Sequence, residues 1–458
     1  MSERYDLAIC GGEVVTPEGI LRTDVGIRKG RFAHVGPLEG PADDTVDARG
    51  LHVLPGAVDA HVHLGVVNTG ARSKDDHGTG TLAAICGGVT TVGDFSVQDP
   101  EEDLKTSVER RITGAGHTAC DWFLHANLTS PSPEALDQIP GLVETGIASF
   151  KLFLAYPEIR VDADTLEAVL HRVDDAGGLV MVHAEDQGLI DRAVAELVAR
   201  GRTTPRHFFD SRPPRAEATA IRTLGNLALA TGHPIYVVHL SSAAGLDAAL
   251  DARRAGANMY LETCPQYLFL TRGHGDSRGL ESLVCAPPLR DDLNRESLAV
   301  ALARGDLDVL ATDHCPYTLA QKQAHGGDFR RIPGGLPGVE TLLPLGYHLA
   351  LNGTLDPGRL AGLTAHNPAR LFGLAHRKGA IRVGLDGDFV LLDPNGSTRI
   401  TAANLHSDTD YSPYEGLDLK GALRSVYLKG RLTASRNPEG VMEPVGEPRG
   451  EFLPCDRR

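Results

Sequence analysis

Along the middle of the chain, short apolar and β-branched runs recur, each followed by a stretch with helical periodicity. Eight runs stand out: AVDAHVHL (57–64), VTTVGDF (89–95), DWFLHANL (121–128), SFKLFL (149–154), LVMVHA (179–184), PIYVVHLS (234–241), NMYLETC (258–264) and LDVLATD (307–313). Short apolar, β-branched runs of this kind read as candidate strands. The segments between them, such as DADTLEAVLHRVDDAGG (162–178) and AEATAIRTLGNLALATG (216–232), repeat apolar residues every three or four positions. The pattern predicts an α/β protein built on a (β/α)8 TIM-like barrel with insertions, over residues 53–375. A doubly wound sheet is the alternative, but no GxGxxG follows the first strand.

The two ends change style. YDLAICGGEVVTP and VGIRKGRFAHVG near the start, and GAIRVGLDGDFVLLDP and ALRSVYLKGRLTAS near the end, alternate in short pieces between Gly and Pro turns. Both ends read as antiparallel strands and hairpins. Residues 1–52 and 376–435 are expected to join into one small β-sandwich domain. Residues 436–458, rich in Pro, Gly and charge, read as a loose tail or an arm.

Composition adds exclusions. The chain has 458 residues, ample for a barrel and a smaller domain, and a net charge of −15. An acidic surface repels nucleic acid and anionic membrane. No apolar run reaches the roughly 18–20 residues that span a bilayer. The first residues carry charges where a signal peptide has its apolar segment. The seven cysteines form no CxxC pair. Reduced thiols and a cytoplasmic location are therefore expected.

The candidate chemistry sits at the ends of the predicted strands. In His61-Val62-His63, residues i and i+2 share a strand face, so the two imidazoles can bind one metal. Such a pair also occurs in ordinary strands. Asp59 shares the face and is placed to orient a ligand. Lys151 lies inside SFKLFL, where an unpaired charge is costly. Burial and nearby cations lower a lysine's pKa, and the neutral amine can take up carbon dioxide to become a bridging carbamate. His183 and His239 end the fifth and sixth runs, and Asp313 ends the eighth. Each residue alone has an ordinary structural reading. Together they lie at strand C-terminal ends, the face where barrels build active sites, and their nitrogen and oxygen donors suit zinc. The other histidines fall in loops, helices or the end domain. His125, in the third run, is the least secure of these dismissals; His314 follows Asp313 and faces the other way.

These residues lie within motifs that resemble the cyclic amidohydrolases of the amidohydrolase superfamily: hydantoinases (dihydropyrimidinases), allantoinases and dihydroorotases. The resemblance runs through DAHVHL (59–64), TGTLAAICGGVTTVGDF (79–95), SFKLFLAY (149–156), HAED (183–186), SRPP (211–214), YVVHLSS (236–242), ETCPQYL (262–268), APPLR (286–290), ATDHCP (311–316), IPGGLPGVE (332–340), NPARLFGL (367–374) and YSPYEG (411–416).

The resemblance implies two zinc ions per subunit. His61, His63 and Asp313 would hold the first, His183 and His239 the second, and a carboxylated Lys151 would bridge them. It also implies Asp313 as the catalytic proton carrier, Tyr156 as the donor to the substrate and its oxyanion, and main-chain substrate contacts at Ala286 and Gly334. Hydantoinases fit better than dihydroorotases, which place an arginine where this chain has Gly65, although Arg72 is near in sequence. The chain departs from the hydantoinase pattern at Pro157, at Gly334 (usually Asn) and at Ala286 (usually Ser). The implied activity is hydrolysis of a small cyclic amide to an N-carbamoyl amino acid, by a homotetramer or homodimer. Allantoinase or dihydroorotase activity is the alternative within the group. A non-enzymatic assembly protein of hydantoinase fold is the alternative outside it.

Overall fold

The computed structural model describes residues 4–16, 19–99, 101–274 and 279–458; the first three residues of the expected N-terminal part lie outside it. All eight predicted barrel strands form: Ala57–Asp59, Val89–Ser96, Asp121–Asn127, Ser149–Phe153, Leu179–His183, Ile235–Val237, Met259–Thr263 and Val309–Leu310. They stand side by side in chain order, and every pairing is parallel. The ring closes between the first strand and the eighth through a bridge of Val62 with His314. The His63 amide also donates to the His314 carbonyl at 2.7 Å.

The helices pack as their periodicity requires. Ala163–Asp175 buries Leu166, Val169, Leu170 and Val173 on one stripe, and its first turn is capped by Asp162, which accepts from the Thr165 amide. The barrel interior below the site is filled by side chains including Phe95, Phe123, Met181, Tyr236 and Phe372. His125 belongs to this packing. Its ring nitrogens meet Ser149 Oγ at 2.6 Å and the Ala60 carbonyl at 3.0 Å, and burial lowers its pKa to about 3. It is a neutral, structural histidine, as read.

The chain ends build a separate mixed sheet of nine strands, which matches the expected β-sandwich domain. Two details correct the expectation. First, the sheet is not purely antiparallel. Strand Tyr5–Thr16 pairs in parallel with Ala42–Asp47 over its first half and with His52–Pro55 at Glu13 and Val14. A register shift between Ile9 and Gly12, with Gly11 at φ 71°, lets the strand change partners. Second, His52–Pro55 pairs antiparallel with Phe389–Arg399 and joins the two ends. The sheet therefore extends to Pro55, past the expected boundary at residue 52.

The final segment is no loose tail. Met442–Pro444 adds a strand to the sheet. Residues 450–458 then cross the N-terminal mouth of the barrel. The Trp122 amide donates to the Glu451 carbonyl, Leu453 donates to Trp122, Cys455 to Gly146, Asp456 to Gly373 and Arg458 to Gly177. Leu453 is completely buried, and Cys455 nearly so. Apolar Phe452, Leu453 and Cys455 hold the arm where its Pro, Gly and charge content suggested solvent.

Asp121, Asp386 and Asp388 converge between the two domains. The cation among them is the chain's own: Lys378 Nζ lies 2.6, 3.0 and 2.5 Å from their oxygens. All seven cysteines are unpaired thiols. No helix of the described residues is long and apolar enough to cross a membrane.

Candidate metal centre and its cavity

The six ligand-type residues converge at the C-terminal ends of the strands. They form two knots of donor atoms. In one, His61 Nε2 lies 3.2 Å from His63 Nε2, and Asp313 Oδ1 lies 3.4 and 3.1 Å from these two nitrogens. In the other, His183 Nδ1 lies 3.0 Å from His239 Nε2. The knots adjoin, since the His61 and His239 rings stack at 5.6 Å. Lys151 is almost wholly buried beside them, its Nζ about equidistant from the Phe95 and Phe153 rings, at 5.1 and 5.0 Å.

Backbone geometry at the strand ends aims these groups. The regular pairing stops at Asp59, Val237 and Leu310, short of His61, His239 and Asp313. His239 and Asp313 then adopt φ of 40° and 53°, and Tyr156 after the fourth strand adopts 71°. Non-glycine residues in this region cost about 1–3 kcal/mol each, and such strain gathers at functional sites. All three residues line the cavity over the strand ends.

Burial sets the charge states. It holds His61 and His239 well below the usual histidine range and lowers His183 as well, so all three present lone pairs at neutral pH. Burial pushes Lys151 down to about 8, against the pull of the Asp313 and Glu262 carboxylates. Asp313 would also be raised by burial, but His61, His63 and Lys151 more than offset this and lower it. Imidazoles and one carboxylate at donor–donor distances of 3.0–3.4 Å, with a buried amine beside them, fit borderline divalent cations such as zinc.

Two carboxylates that sequence reasoning left without a role complete the site. Glu262, in the seventh strand, lies 2.7 Å from His61 Nδ1 and accepts from the His239 amide at 2.9 Å and the Tyr236 hydroxyl at 2.7 Å. Glu185 lies 2.9 Å from His183 Nε2 and accepts from Arg212 Nε and Nη2 at 2.9 and 2.6 Å. Each leaves its histidine's other nitrogen free to face the knot. The signal was present: Glu262 interrupts the apolar run NMYLETC, and the argument that singled out Lys151 applies to it equally.

Asp59 does not play the orienting part expected of it. It accepts from the Thr312 amide and hydroxyl at 3.0 and 2.5 Å, and from the His61 amide at 3.3 Å. It pins the first strand to the eighth, and Glu262 orients the ring. His314 turns away, as read. Its Nε2 meets Asp75 at 2.9 Å, and its Nδ1 accepts from the Gly338 amide at 3.0 Å.

A cavity of about 370 Å³ opens over both knots. Its wall includes Lys151, Tyr156, Ala286 and Gly334, with Val66, Val97, Phe153 and Ile159 on its apolar side. The Tyr156 ring lies 5.1 Å from His183, with the Arg212 guanidinium 5.0 Å from its centre. Burial raises its phenol to about 12, so at neutral pH it is an O–H donor. Ala286 and Gly334 face each other from adjoining segments: a Cβ on Gly334 would meet the Ala286 nitrogen at 3.8 Å. Arg72 lies next to Gly65, its Nη2 3.1 Å from where a Cβ there would stand, but it is exposed and not part of the cavity wall. A larger cleft of about 940 Å³, in the end domain around Lys29–Arg31 and Lys429–Leu432, contains none of the predicted site residues.

Residues 52–433 match the sequence profile of the amidohydrolase family. A D-hydantoinase of Rhizobium radiobacter is 37% identical over 432 residues, covering 93% of this chain and 94% of the relative. A solved D-hydantoinase superposes with a TM-score of 0.94 at 36% identity, over 99% of both chains. A dihydropyrimidinase from Brevibacillus agri does so with a TM-score of 0.92 at 31% identity, over 98% of both.

Proposed function

The chain belongs to the amidohydrolase family, and from that premise we propose that it hydrolyses the ring amide of a hydantoin or dihydropyrimidine to an N-carbamoyl amino acid. The observation that carries this reading is the meeting of both donor knots with Tyr156, Ala286 and Gly334 around one cavity. The cavity volume lies within the range of small-molecule sites.

The donor set suits two zinc ions. His61, His63 and Asp313 would hold one, His183 and His239 the other, with a carboxylated Lys151 between them. Lys151 is buried, short of a full charge near neutral pH, and set among imidazoles. Carboxylation would replace that misplaced cation by an anion. When bound, such ions lower the pKa of water toward about 7 and draw charge from a carbonyl oxygen.

The chain's own groups supply the rest. Main-chain groups near Ala286 and Gly334 hold the ring flat against the cavity wall. The Tyr156 hydroxyl donates to the carbonyl oxygen as it becomes an oxyanion. Asp313 approaches His61 and His63 through Oδ1. Its carboxylate takes a proton from the attacking water and gives it to the ring nitrogen as the C–N bond breaks. The products are one carboxylate and one N-carbamoyl group.

The acidic chain, with seven unpaired thiols, is read as a cytoplasmic protein that binds neither nucleic acid nor membrane. A homotetramer or homodimer is the expected assembly. Light scattering on the purified protein tests this against a monomer.

The test of function is a panel of hydantoin, 5-substituted hydantoins, dihydrouracil, allantoin and dihydroorotate, with added zinc. Ring opening of hydantoins or dihydrouracil is expected. A zinc-loaded protein inert on all five would overturn the reading, and turnover of allantoin or dihydroorotate alone would redirect it within the group.

A further inference from the structure

Lys322 is a second fully buried lysine, and the mechanism above makes no use of it. It lies on the short helix Leu319–Gln323, whose first turn is fixed by a capping box between Thr318 and Gln321. Its side chain enters the protein beneath the cavity wall. Nζ donates to the Val284 carbonyl at 2.8 Å and to the Pro333 carbonyl at 3.2 Å. The Tyr317 ring centre lies 5.8 Å away. No carboxylate among the described residues pairs with it, and burial pushes it down to about 7.

The two carbonyls belong to different segments, and each lies within two residues of a wall residue. Val284 leads through Cys285 to Ala286; Pro333 leads directly to Gly334. A main-chain hydrogen bond joins the segments, Gly335 N–H to the Val284 carbonyl at 3.0 Å. Gly335 has no room to adjust. Its φ is 152°, and a Cβ there would stand 2.4 Å from the Cys315 carbonyl. Lys322 Nζ, bonded to both carbonyls, adds a side-chain tie that fixes their separation.

We propose that Lys322 is a positioning residue that clamps the Val284–Ala286 and Pro333–Gly335 segments at the spacing the substrate ring requires. This rests on the reading that Ala286 and Gly334 hold the ring. A buried amine bonded only to peptide carbonyls is an expensive way to join two loops. An apolar side chain would fill the space, but it would take the Lys322 donor from the Pro333 carbonyl, leave the Val284 carbonyl with Gly335 N–H, and remove the tie between the two segments. The neighbouring Cys285 and Cys315 thiols are pushed up to about 12 by burial, so near neutral pH they bring no negative charge to replace the dipoles.

The experiment compares wild type, Lys322→Met and Lys322→Arg, each loaded with zinc, by metal content, thermal midpoint and kinetics on dihydrouracil and hydantoin. Lys322→Met keeps the stem and removes the donors. It should raise KM roughly 10- to 100-fold, the scale of leaving buried polar partners unmet. Metal content should be full and kcat per bound metal within about threefold, the signature of lost binding rather than lost chemistry. Lys322→Arg keeps a charged donor and should fall between. An unchanged KM in Lys322→Met overturns the proposal. So does a loss of metal and stability with KM kept, since that describes a purely structural lysine. Should Lys322→Met fail to fold, Lys322→Arg decides: a raised KM at full metal content supports the clamp, and a wild-type KM overturns it. A wild type inert on the whole panel would strike the functional reading instead, and is told apart because it needs no variant.

Discussion

His61 Nδ1 and Glu262 Oε1 stand 2.7 Å apart, both residues completely buried, on opposite sides of the barrel's closing seam. Three donors converge on this carboxylate: the His61 ring, the His239 amide and the Tyr236 hydroxyl. It therefore fixes a member of each donor knot at once. Glu262→Gln preserves volume and replaces one carboxyl oxygen by an amide NH2. Loss of such a supporting carboxylate typically weakens a metal site about 10- to 100-fold. We expect that loss in a competition titration against a chelator, with the fold intact by circular dichroism. Wild-type affinity in the variant would show that Glu262 only fills space.

Lys151→Ala should fail to retain two metals per subunit and lose more than about 100-fold in kcat/KM, because the proposed site relies on a carboxylated Lys151 between the knots. Metal analysis beside kinetics checks this. A carbamate signal from labelled bicarbonate should be present in wild type and absent in the variant. Two metals and full activity in the alanine variant would exclude a bridging role.

Tyr156→Phe removes one O–H donor and leaves the ring beside His183 and Arg212. A kcat loss of roughly tenfold to a thousandfold is expected, the scale of a missing oxyanion donor. KM should change less. An unaltered kcat would take the hydroxyl out of the mechanism.

The arm across the barrel mouth gives a prediction about stability. A chain ending at residue 449 loses buried Leu453 and Cys455 and the backbone bonds to Trp122, Gly146, Gly373 and Gly177. Its thermal midpoint should fall by roughly 3–8 °C. A midpoint equal to that of the full chain would make the arm a passenger.

Glu451 adds a pH signature to that arm. Hydrogen bonds from Lys429 at 2.7 Å and Arg377 at 2.6 Å lower its carboxyl to about 2. Because the folded value lies below the ordinary 4.5, the stabilisation is fully present above pH 4.5 and disappears as pH falls through about 2. The midpoint difference between wild type and Glu451→Gln should be largest near neutrality and shrink below about pH 4.5. Half of the side chain is exposed, so the difference is small. A difference independent of pH would remove Glu451 from the arm's anchorage.

Much of the protein was legible in the chain because local rules decide it. Short apolar, β-branched runs announced all eight barrel strands, and turn-rich alternation announced the β-domain at the ends. A lysine inside SFKLFL, and histidines and an aspartate closing other strands, marked the residues that meet at one face. That much follows from periodicity and from the cost of burying charge.

Contacts between distant segments were decided only by the tertiary structure. Asp59 was within reach of the ligands in sequence, yet Thr312, more than two hundred residues away, takes its oxygens, while Glu262 reaches across to His61. Residues 450–458 looked fit for solvent until the barrel offered Leu453 an apolar seat. Lys322 drew no notice in the sequence, and only the fold brings Val284 and Pro333 to its tip. A residue's own chemistry is written in the chain, but its partner is set by closure of the barrel, which brings together groups that no local pattern relates.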